Sequence, residues 1–162
     1  MSPEITDGSR DFDFLIGSWT VANRRLVKPL AECTEWYEFA GVATCQPIFG
    51  GAGNLDEIAF PTQGFGGVTV RLYDPARREW SLYWVSSRST VIEAPVIGRF
   101  VDGVGEFFAD DTYEGTPIRC RYRWSDITPT SAHWEQAFST DGEHSWETNW
   151  VNDLTRTTPD PR

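Results

Sequence analysis

Apolar and polar positions alternate along most of this chain with a period of two. In "IRCRYRW", Ile118, Cys120, Tyr122 and Trp124 fall on one face, and Arg119, Arg121 and Arg123 on the other, as successive side chains of a strand do. "EWSLYWVSS" separates Trp80, Leu82 and Trp84 from Ser81, Tyr83 and Val85, and "VTVRLYD" separates Val68, Val70 and Leu72 from Thr69, Arg71 and Tyr73. The turn formers Asp74 and Pro75 of "DPARRE" join these two as a hairpin. "SAHWEQAFS" and "SWETNWVNDLTR" form a second hairpin about Asp141 and Gly142 of "TDGEH". With "TEWYEFAGVATCQPI", "APVIGRFV" and "GEFFADD" the count reaches roughly eight to ten short strands, the pattern of a meander, sandwich or barrel. Helical periodicity is absent. "GGAGNLDE" and "PTQGFGG" read as long loops. The prediction is an all-β chain with one domain over 12–157, a loose segment 1–11 and a loose tail 158–162.

An up-and-down barrel removes its exposed edges by bringing the last strand beside the first. Trp19, near the start of the first strand, then meets the last strand's "LTR", where the Arg156 guanidinium can stack on an indole. Gly17, Trp19 and Arg156 are therefore the predicted closure of one barrel end.

These residues, "GSW" at 17–19 and Arg156, resemble the calycin superfamily, whose lipocalin branch carries Gly-x-Trp on its first strand and an Arg on its last that packs across it. The wider set "FDFLIGSWTV", "FGGAGNLDE", "VRLYDPARREWSLYW" and "AFSTDGEHSWETNW" is similar to an uncharacterised bacterial family of lipocalin-like barrels. The resemblance implies a single closed antiparallel up-and-down barrel and no particular chemistry. That family's usual hairpin has "DGG" and a Thr before the Trp; here Gly142, Glu143, His144 and Ser145 stand instead.

Composition narrows the partners. The 162 residues suit one domain, and 24 Asp and Glu against 14 Lys and Arg give a net charge of −10, which repels a nucleic-acid backbone. The opening "MSPEITDGSRDFDF" has neither a basic nor an apolar stretch, and no apolar run reaches bilayer length. Cys33, Cys45 and Cys120 have no CxxC spacing. A cytoplasmic monomer or homodimer with no membrane or nucleic-acid partner is the expectation.

The eight Trp, ten Phe and five Tyr exceed what a core of this size needs, so some are expected to line a cavity. Trp36, Trp80, Trp84, Tyr122, Trp124, Trp134 and Trp150 are the inward candidates; any one of them singly reads better as plain core, and the set together as the lining of a pocket. Gln136 and Asn152 share the inner phase as polar groups that can orient a ligand. Glu38, in phase with Trp36, and Tyr122 are the candidate proton-transfer pair. A small apolar or aromatic molecule is the first expected partner. A cyclase or isomerase needing no cofactor is the alternative, with substrate shaped by the cavity and a proton moved by one or two groups. A haem barrel needs only one His, but His133 alternates with Trp134 and is expected to face out, while His144 falls in a turn. With only two histidines a multi-His metal centre is not expected, nor is a cofactor. Cys120 shares a face with Tyr122 but has no base placed beside it.

Overall fold

The computed structural model describes residues 8–157. Ten strands follow in chain order: β1 Gly17–Leu26, β2 Trp36–Ile48, β3 Gly53–Phe60, β4 Phe65–Asp74, β5 Glu79–Ser86, β6 Val96–Val101, β7 Val104–Tyr113, β8 Thr116–Ser125, β9 Ser131–Ser139 and β10 Glu147–Arg156. Each pairs antiparallel with the next, and β10 returns to β1, so the sheet closes into a barrel with no free edge.

Two predicted loops are strands. "GNLDE" belongs to β3 and "FGG" opens β4. Asn and Asp ordinarily mark turns because they bond to their own backbone. Here Asn54 and Asp56 instead point inward and bind Arg71 across the strand pair. The segment 1–11 also needs correction. Residues 1–7 and 158–162 lie outside the described part, but Gly8–Arg10 form a 3₁₀ turn docked on the barrel. The Gly8 amide donates to the Tyr73 hydroxyl at 2.9 Å, and the Trp80 indole donates to the Gly8 carbonyl at 3.0 Å.

One barrel end is sealed by this N-terminal segment. Phe12 is fully buried there, its ring 5.0 Å from Trp80, 4.9 Å from Phe100, 5.5 Å from Phe107 and 6.1 Å from Trp124. Trp19 lies opposite Arg156 in the β1–β10 register, with the guanidinium 4.3 Å from its ring centre. Arg156 also donates to the carbonyls of Ile16 at 2.6 Å, Phe14 at 2.7 Å and Pro129 at 3.1 Å, tying the segment, the last strand and the β8–β9 loop together. Gly17 stands at φ +126°, and a methyl added to it would overlap Nη1 of Arg156. That conformation is almost confined to glycine. Gly17→Ala is expected to cost about 2 kcal/mol or more in urea unfolding, whereas Ser18→Ala beside it should change little.

Candidate functional site

Above the closed end the inner strand faces leave a cavity of about 190 Å³, within the size range of one aromatic ring with a short substituent. The alternation that forms the strands also sets its walls. From β8 and β9 come Tyr122, Trp124, Trp134 and Gln136, with Trp124 opposite Trp134 and Tyr122 opposite Gln136 in register. β10 adds Trp150 and Asn152, and β5 adds Leu82 and Trp84. Ile58 and Phe60 of β3 complete the apolar part. The rings meet edge to face: Tyr122 and Trp134 at 5.2 Å, Trp134 and Trp150 at 5.8 Å, Trp84 and Trp150 at 6.5 Å, an arrangement their quadrupoles favour. Asn23 accepts the Trp150 indole proton at 2.9 Å, which fixes that ring.

The polar part comes chiefly from β3 and β4. Thr69, Arg71 and Asp56 line the cavity, so β4 turns its polar face inward and sets Val68, Val70 and Leu72 outside. The Arg71 side chain is only 5% exposed. Its Nη1 pairs with Asp56 and donates to Asn54 Oδ1 at 3.0 Å, and its guanidinium lies between Phe12 and Trp124, 5.2 and 5.8 Å from their ring centres. Its Nε is buried without a hydrogen-bond partner among the described residues, as is Asn152 Oδ1. Such buried orphan groups are unusual in folded proteins. Arg25, from β1 nearer the other barrel end, also lines the cavity and stacks 4.1 Å from the Trp150 ring centre.

Trp84, Tyr122, Trp124, Trp134, Gln136, Trp150 and Asn152 thus meet around one cavity, as their shared phase predicts. Trp80 does not line it; it packs beneath, against Phe12. Trp36 and Glu38 sit on the outer face, because β2 buries Phe39, Gly41 and Cys45 instead. The Arg24 guanidinium lies 5.2 Å over Trp36 and shelters it there, and Glu38 is exposed. The predicted pair of Glu38 and Tyr122 is therefore split between the two sides of the wall. Asp56, expected in the long loop "GGAGNLDE", is inside.

Burial pushes the Tyr122 hydroxyl far above its ordinary value, so it stays protonated near neutral pH. Burial likewise pushes the Cys120 and Cys45 thiols up to about 12, which leaves neither a thiolate near neutral pH.

Neither histidine lines the cavity. His144 is in the β9–β10 turn, and His133 bonds Asp153 at 2.7 Å and Glu135 at 3.3 Å on the outer face. Burial lowers the His133 pKa, but the two carboxylates outweigh it and the net shift is upward. The contribution of this cluster is accordingly present below about pH 6.5 and lost as pH rises through the higher folded value. Solvent screening keeps it within about 1 kcal/mol. Wild type should exceed His133→Gln in melting temperature at pH 6, with the gap closing at higher pH.

The closed ten-stranded antiparallel barrel, with an indole and an arginine sealing one end, is a lipocalin-like fold. Among solved structures it is similar to that of an S-type phycobiliprotein lyase, CPES, from Guillardia theta, with a TM-score of 0.59 and 13% identity over 96% of each chain. At that identity the likeness is one of fold. No family model matches the chain, and no curated protein sequence does.

Proposed function

We propose that this barrel binds a small, mostly apolar, aromatic molecule in its interior. The observation that carries the reading is the cavity of about 190 Å³ walled by Trp84, Tyr122, Trp124, Trp134 and Trp150. Ligand sites are commonly concave, apolar and aromatic with a few placed polar groups, and Gln136, Thr69, Asn152 and Arg71 supply those groups here. The fold likeness to a phycobiliprotein lyase supports use of the barrel on a small molecule.

Size narrows the ligand further. An apolar cavity of about 150 Å³ takes benzene, so this one suits a single ring or a compact pair of fused rings.

Gly67 gives the test a handle. A methyl placed there would overlap the six-membered ring of Trp84, which therefore has to leave its position in the wall. Native mass spectrometry of the protein purified from its own host, compared with its denatured mass, is expected to show one retained small molecule. Gly67→Ala should lose that molecule and Glu38→Gln, altered on the outer face, should keep it. Retention by Gly67→Ala, or no retained molecule in wild type, would overturn the proposal.

A further inference from the structure

The charges lining the cavity do not balance. Arg25 and Arg71 are positive and Asp56 alone is negative, so the interior carries an excess of one positive charge in a chain whose net charge is −10. Asp56 is committed to Arg71. Arg25 has no carboxylate within ion-pair distance among the described residues; its guanidinium lies 4.1 Å from the Trp150 ring centre, and the Tyr113 phenol also feels its charge. A cation held in a partly desolvated aromatic site has much to gain from an anion there, since both the lower dielectric and a charge-assisted hydrogen bond strengthen the pair.

From this arrangement we infer that the ligand is an aromatic acid. Its ring lies among Trp84, Tyr122, Trp134 and Trp150, and its carboxylate pairs with Arg25. This rests on the cavity being a ligand site and adds the charge of the occupant. The acidic outer surface makes the selection less obvious from net charge, because repulsion slows the approach of an anion. Within the barrel the local cation decides, being separated from the ligand by contact distance rather than by solvent.

Three single-ring probes separate the possibilities: benzoate, its neutral amide benzamide, and toluene. Binding is followed at neutral pH by the indole N–H signals of Trp84, Trp134 and Trp150 in two-dimensional NMR, which reports weak binding as well as tight. Benzoate is expected to bind at least tenfold more tightly than benzamide. In Arg25→Gln, which keeps a polar side chain at the position, the preference for benzoate over benzamide should fall to within twofold. Equal binding of benzoate and benzamide to wild type, or a preference that survives Arg25→Gln, overturns the inference and leaves the aromatic-cavity reading standing. Failure of all three probes to shift the indole signals overturns both.

Discussion

Arg71→Met is expected to destabilise the barrel by about 3–5 kcal/mol, because it strands Asp56 inside without its counter-charge. Asp56 faces the interior beside Thr69, and the neighbouring Asn54 also loses its donor. Much of the cost is the unpaired carboxylate and not the loss of attraction as such, so the double variant Arg71→Met/Asp56→Leu should recover a large part of it. Urea unfolding of the two single variants and the double variant measures this, provided the urea dependence stays the same among them. If the double variant is no more stable than Arg71→Met, the stranded charge is not the source of the loss. The inward polar face of β4 would then be held by something other than this pair.

Phe12→Ala is expected to cost about 3–5 kcal/mol, in the range for large buried aromatics. The residue has no solvent exposure and lies between Trp80, Phe100, Phe107 and Trp124. At about 2–4 °C per kcal/mol for a chain of this length, the melting temperature should fall by roughly 10 °C, a change that calorimetry resolves easily. The same substitution opens space beneath Arg71, whose guanidinium rests against the Phe12 ring. A ligand site that ends on Arg71 should then accept a longer aromatic probe than wild type does. Loss of stability without any change in accepted ligand length would mean that the closed end and the cavity are independent.

Much of this was readable from period-two alternation, and where it was not the causes are specific. β8 shows its facing openly because apolar residues alternate with three arginines, and β9 and β10 follow from the turn at Asp141 and Gly142. That is why Tyr122, Trp124, Trp134, Gln136 and Trp150 could be placed on one wall. β3 was hidden because Asn54 and Asp56 look like turn residues until Arg71 is seen opposite them. Arg71 was hidden in turn, since hydropathy favours Val68, Val70 and Leu72 as the inner face of β4. Thr69, Arg71 and Tyr73 share a phase, and that run of hydrogen-bonding side chains was the available signal. In β2 the largest side chain misled: Trp36 stays outside under Arg24, while the smaller Gly41 and Cys45 mark the buried phase with Phe39. Arg25 escaped notice because an arginine near a strand end ordinarily reaches solvent, whereas here its guanidinium turns onto Trp150.

The central claim is that the barrel interior is a site for a small aromatic molecule. A crystal structure of the protein soaked in indole tests it most directly. The expected result is one ordered indole ring inside the barrel, in contact with Trp84, Tyr122 and Trp134, with the surrounding strands unmoved. A barrel whose cavity is filled by its own side chains or by water at saturating indole would contradict the claim.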